Sequence, residues 1–141
     1  MSSLGSLHRY FIAANRMRIL YESAKCDPNV ISRFSEADEI TKAMIWHADD
    51  LGIFVYYWFS GLYVVIEGFR ELQLQDGKID SLLQSPNVEA LRLMRNATFH
   101  FQREDVSPKM MHVFKSADSW PWVRSLMEAF SEFFRREMLK A

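Results

Sequence analysis

Leu51-Gly52-Ile53-Phe54-Val55-Tyr56-Tyr57-Trp58-Phe59-Ser60-Gly61-Leu62-Tyr63-Val64-Val65-Ile66 runs for 16 residues without a charge. Two readings compete, a membrane span and a helix buried in a helical core. A bilayer asks for roughly 20 apolar residues. This run stops short of that, lies between Asp49-Asp50 and Glu67, and contains Gly52, Ser60 and Gly61. The core-helix reading follows, with no membrane association, and it decides the fold. An apolar seam leaves the run in both directions through Ile40, Met44, His47, Leu51, Val55, Trp58, Leu62, Val65, Phe69 and Leu72. Steps of three and four residues mark one face of a helix. Ser35 with Asp38 reads as the capping pair that opens it. Unbroken, residues 36–74 would extend roughly 58 Å at 1.5 Å per residue. That is long for a chain of this size, so a kink is expected near Gly52 or Ser60-Gly61. His47, on the apolar seam, reads as a hydrogen-bonded core histidine.

Upstream, Leu4, Leu7, Phe11, Ala14, Met17, Leu20 and Ala24 form a second stripe at helical spacing, with His8 beside it as a partly exposed residue. Cys26-Asp27-Pro28-Asn29 breaks that helix, because proline cannot continue one. Downstream, Asp76-Gly77 is a turn that ends the central helix, and Ile79–Gln84 suits one short helical turn. Ser85-Pro86 opens the next helix, serine as N-cap and proline at the first position. Residues 102–107 read as a loop and Lys109–Lys115 as a short helix with Met110, Met111 and Phe114. Asp118-Ser119 caps the last helix, whose apolar face is Val123, Leu126, Met127, Phe130, Phe133, Phe134 and Met138. The predicted fold is all-α, a four-helix up-down bundle with one or two extra short helices, in a single domain over residues 1–141.

Composition sets outer bounds on function. A chain of 141 residues buries a core without staples. Its net charge of −1 gives no global attraction to nucleic acid. Residues 1–85 carry 8 basic and 11 acidic groups, residues 86–141 carry 9 and 7, so any nucleic-acid contact is local. Cys26, the one cysteine, excludes an intrachain disulfide and a cysteine-rich metal site, and reads as a structural or surface thiol in a reducing cytoplasm. Met1–Gly5 shows no basic region followed by an apolar run, so no signal peptide is expected. Eight Met, four Trp, five Tyr and eleven Phe at helical spacing read as packing. Their surplus over what a few helices can bury suggests that one face pairs with another subunit.

The chemistry concentrates in Leu93-Met94-Arg95-Asn96-Ala97-Thr98-Phe99-His100-Phe101. On an ideal helix Val88, Leu91, Arg95 and Phe99 share a side, while Asn96 and His100 share the adjacent, more polar one. Arg95 and His100 stand about 140° apart at 100° per residue. For both to address one ligand, the helix unwinds near Thr98 or the site is a wide groove. Histidine moves protons near neutral pH, and arginine grips phosphate. Together they suit attack of a ribose 2′-hydroxyl on the neighbouring phosphate, which needs a base, an acid and charge stabilisation but neither metal nor cofactor. One chain offers one His100, so this mechanism calls for a two-fold dimer with a shared cleft. A plainer reading stands beside it, with Arg95 in a salt bridge to Glu67 or Glu71 and His100 capping a helix end.

Arg95-Asn96-Ala97-Thr98-Phe99-His100 resembles the signature of the HEPN superfamily, small α-helical domains of prokaryotic conflict systems, in which an arginine and a polar residue precede a histidine. Val65-Ile66-Glu67-Gly68-Phe69-Arg70-Glu71-Leu72, with Leu93-Met94 and Phe99-His100-Phe101, resembles HEPN-like proteins related to abortive-infection factors. The resemblance implies a metal-independent ribonuclease acting as a homodimer on RNA, in phage defence or as a toxin with an antitoxin partner. Arg95 and His100 would be catalytic and Asn96 supporting, with Glu67 and Arg70 facing the motif helix as structural partners of Arg95. Other members of the superfamily are inactive and bind nucleotides or serve in assembly.

Overall fold

The computed structural model describes residues 3–35, 38, 42, 46, 49–104 and 107–140. Those residues are all-α and include no strand. The helices are α1 (Ser3–Ala24), α2 (Pro28–Ser35), α3 (Asp50–Glu71), α4 (Gly77–Leu82), α5 (Asn87–Phe99), α6 (Pro108–Met111) and α7 (Ser119–Met138), with a 3-10 turn at His112–Lys115. Four of them are long.

The apolar run that opened the sequence is the body of α3, the central core helix. Val55, Trp58, Leu62, Val65 and Ile66 are fully buried on it. By length and composition α3 would also pass for a membrane span, yet over half of its most apolar window is covered by the rest of the chain. The seam over 36–74 is interrupted close to Gly52, one of the two places where a kink was expected. Asp49 adopts an extended conformation (φ −88°, ψ 151°) and its carboxylate accepts from the Leu51 N–H at 3.1 Å, so α3 begins at Asp50. The break thus falls three residues before Gly52. That glycine lets the chain fold back onto the first turn of α3, since a Cβ there would collide with the Trp46 carbonyl. The helix then runs through Ser60-Gly61 to Glu71.

The expected Ser35–Asp38 cap belongs to the start of a segment most of which lies outside the described residues. Ser35 ends α2, and its hydroxyl donates to the Ser32 carbonyl at 3.1 Å. α2 itself starts where the Asp27 carboxylate accepts from the Asn29 N–H at 2.9 Å and Pro28 takes the first helical position. His47, Ile40 and Met44 lie outside the described residues. The Ser85-Pro86 start is present: the Ser85 hydroxyl accepts from the Asn87 N–H at 3.1 Å as α5 begins. Asp118 differs from expectation. Its carboxylate makes no cap bond to α7 and accepts instead from the Asn87 amide (3.3 Å) and the Ser116 hydroxyl, tying the starts of α5 and α7 together.

Ring and side-chain contacts fix the directions of the long helices. Leu7 meets Gly68 and Ala14 meets Gly61, so α1 and α3 are antiparallel. Tyr57 meets Phe99 while Arg95 lies over Tyr63, so α3 and α5 are antiparallel too. Phe59 meets Trp120 and Phe69 meets Phe130, which makes α7 parallel to α3. The aromatic surplus mostly packs inward. Tyr21, Trp58, Phe59, Phe114 and Trp120 interlock at one end of the core, and Phe11, Phe69, Phe130, Phe133 and Phe134 at the other. His8 is partly buried with its ring 5.0 Å from Phe134, and Cys26 is an exposed free thiol.

Candidate functional site

Buried Val88, Leu91, Met94 and Ala97 seat α5 against the core, and this fixes which motif residues reach the surface. Arg95 emerges at the rim, partly exposed, with its guanidinium 4.8 Å from the centre of the Tyr63 ring. Its Nε donates to the Asn96 Oδ1 at 2.9 Å, and its Nη1 is ion-paired with the Glu67 carboxylate of α3. A ring beneath, an amide at one edge and a carboxylate at another leave the guanidinium few orientations. This is the rigid planar fork that suits arginine and not lysine to oxyanion recognition.

His100 stands where α5 ends. Its φ of −121° and ψ of 137° are extended, while its N–H still donates to the Asn96 carbonyl at 3.0 Å. Leaving helical geometry at this residue turns its side chain off the regular position about 140° from Arg95, and His100 is not among the residues that line the groove beside Arg95. The side chain is exposed and makes no hydrogen bond or ion pair with a described residue. Beyond it the backbone is held in place. The Gln102 side-chain amide donates to the carbonyls of His100 (3.0 Å) and Phe101 (3.4 Å). The buried Ser107 hydroxyl donates in turn to the Gln102 Oε1 at 3.2 Å. No feature of the sequence pattern had singled out Gln102 or Ser107. Phe101, at 91 % exposure, projects from this clasped segment.

Of the expected site residues, Arg95, Asn96 and Glu67 come together, and His100 follows at the end of the same helix. Arg70 does not join them. It lines a separate groove with Gln73, Asp80 and Gln84. Glu71, the other carboxylate considered for Arg95, lines the same groove as Glu67 and Arg95 without forming the ion pair. That groove, about 440 Å³ and open to solvent, lies between the first turns of α1 and the second half of α3 and is also lined by Ser6 and Tyr10. Among the described residues no three His, Cys, Asp or Glu side chains are grouped to hold a metal.

Exposed large apolar side chains are unevenly distributed. Tyr10, Ile12, Ile19 and Leu20 belong to α1, Ile53 and Tyr57 to α3, and Phe99 and Phe101 to the end of α5. The outward residues of α7 are mostly polar, among them Arg124, Glu128, Glu132 and Arg135, with Pro121 exposed in its first turn and Leu139, 82 % exposed, just past its end. Comparison with protein-family models, with curated proteins and with solved structures gave no match to this chain.

Proposed function

We propose that the chain is a metal-independent ribonuclease of a prokaryotic defence or toxin–antitoxin system, built as a HEPN-like four-helix bundle and working as a dimer. The observation that carries this reading is the presence on one helix of an arginine oriented by Asn96 and Tyr63 and, five residues on where the helix ends, an exposed, unengaged histidine. Arg95 would stabilise the charge that develops on phosphate oxygens, which needs a donor array fixed before the reaction begins. His100 would take the 2′-hydroxyl proton. A second copy would bring the second histidine to protonate the leaving 5′-oxygen, leaving a 2′,3′-cyclic phosphate. The exposed apolar residues of α1, α3 and the end of α5 support a second copy on the motif's side of the molecule.

A second reading, a nucleotide-binding or assembly module, draws on the ion pair itself. Arg95 already has Glu67, and the His100 backbone N–H already closes the last turn of α5. One experiment separates them. Purified protein is incubated with mixed RNA in excess chelator beside His100→Ala and Arg95→Ala. The nuclease reading expects cleavage to cyclic phosphate ends by wild type and at least a hundredfold less by either variant, of the order that general acid–base catalysis contributes. Neither side chain is buried, so both variants should fold. A folded, dimeric wild type that leaves RNA intact would select the binding module.

A further inference from the structure

Arg95 is the only cation lining its groove among the described residues, and it is already neutralised. The groove also holds Glu67 and Glu71, so its lining carries a formal charge of −1. An incoming phosphate meets that charge before it meets a free guanidinium. Glu67 is the more exposed partner of the pair, its side chain 44 % accessible against 27 % for Arg95. No hydrogen bond to a third described residue pins its carboxylate. Arg95, by contrast, is held from two further directions by Asn96 and Tyr63. When the pair opens, Glu67 is therefore the side chain that moves, and the guanidinium stays in place.

We infer that Glu67 is an internal competitor for the oxyanion seat of Arg95: its carboxylate occupies the position a phosphate group of the ligand takes, and that phosphate binds by displacing it. The inference rests on the reading of Arg95 as the phosphate-gripping residue of the motif. It assigns Glu67 a part beyond that of a structural partner. A carboxylate and a phosphate oxygen present the same acceptor geometry to a guanidinium edge, so one replaces the other without rebuilding the site. The competitor lowers affinity for stray anions, while a ligand with further contacts to the protein offsets the lost ion pair.

The test is a titration of the purified chain with inorganic phosphate, followed by the phosphorus resonance and by the amide shifts of residues 95–100. Glu67→Gln keeps an acceptor for Nη1 and removes the charge. It should bind phosphate roughly three- to fivefold tighter than wild type, the upper range expected for loss of a partly exposed ion pair. Glu71→Gln lines the same groove outside the pair and should gain no more than about twofold, the screened effect of a charge at longer range. Adding Arg95→Ala to Glu67→Gln should abolish the gain. Unchanged or weaker binding by Glu67→Gln would overturn the inference and make Glu67 a positioning residue for Arg95. Equal gains from Glu67→Gln and Glu71→Gln would also overturn it, since the effect would then be a general field. RNA plays no part in this titration, so a chain that gains phosphate affinity without cleaving RNA refutes the nuclease and retains the competitor.

Discussion

At the scale of single residues, the structure ties stability to a few carboxylates whose partners can be named. Asp76 is the N-cap of α4, accepting from the Lys78 and Ile79 N–H groups at 3.0 Å, and it also pairs with Arg136 of α7 at 2.7 Å. Burial on its own would raise the Asp76 pKa. The bonds from Ile79, Arg136 and Lys78 outweigh that and hold the carboxyl below its ordinary value. A carboxylate depressed in the folded state stabilises it above the unfolded-state pKa near 4, and the stabilisation is lost as pH falls through the folded value. Asp76→Ala should therefore cost about 1 kcal/mol at pH 7, the usual worth of a lost N-cap. The gap between the variant and wild type should close progressively below about pH 4. Denaturant melts at pH 7 and pH 3 measure both; a gap of the same size at the two pH values would place the effect in packing and not in the charge.

At the scale of elements, helix ends are where sequence and structure agree least evenly. The Ser85 cap was legible because its hydroxyl precedes a proline, and Asp27-Pro28 carries the same signal, yet that proline had been taken only as a breaker. The seam from Ile40 to Leu72 disclosed the buried face of α3 but not its start. Hydrophobic spacing is indifferent to whether Asp49 is helical, and only its extended conformation shows that it caps. The sequence puts the helix end near residue 74, ahead of the Asp76-Gly77 turn signal, whereas α3 ends at Glu71 and the chain turns at Gln73, a non-glycine residue with φ of 53°. The Leu74 N–H donates to the Phe69 carbonyl (3.1 Å) and the Gln73 N–H to the Arg70 carbonyl (3.0 Å), the bonding of a Schellman ending whose left-handed position usually belongs to glycine. Nothing in the composition of Gln73-Leu74-Gln75 announces a turn. Gln73→Gly should relieve the left-handed strain and stabilise the chain by about 1 kcal/mol. Thermal melts would read this as a rise of a few degrees, and a fall would mean that the glutamine side chain contributes more than its backbone costs.

At the scale of the whole molecule, the α-helical class and the packing role of the aromatic residues were legible, because apolar stripes at helical spacing admit little else, but how much of the aromatic surplus one chain buries was not. The site was legible in part. Arg95 and Asn96 are sequence neighbours, but their bond to each other, the Tyr63 ring beneath and the Glu67 pair arise only once α5 lies antiparallel to α3. Arg70, three positions from Glu67, lies about 60° round the helix on the side away from Glu71, and there it lines a different groove. The exposed apolar residues raise a question of assembly that sequence spacing could state but not localise. If the α3–α5 side is the dimer surface, Tyr57→Glu sets a charge beside Phe99, 5.7 Å away between ring centres, and should shift the chain to monomer without unfolding it, since Tyr57 is exposed. Sedimentation at micromolar concentration with circular dichroism checks both halves. A variant that sediments as the wild type does would move the surface elsewhere.

The clasp beyond α5 has a further consequence. Gln102 grips the carbonyls of His100 and Phe101 and is itself held by the buried Ser107 hydroxyl, so the exposed imidazole inherits its placement from a serine seven positions away. Lineages that retain this segment would be free to drift across the polar outer surface of α7. A change at Ser107, which no ligand need ever touch, would blur the histidine's position and be purged as strictly as a change in the motif. Selection would act on Arg95–His100, Gln102 and Ser107 as one unit, longer than the six-residue run from Arg95 to His100.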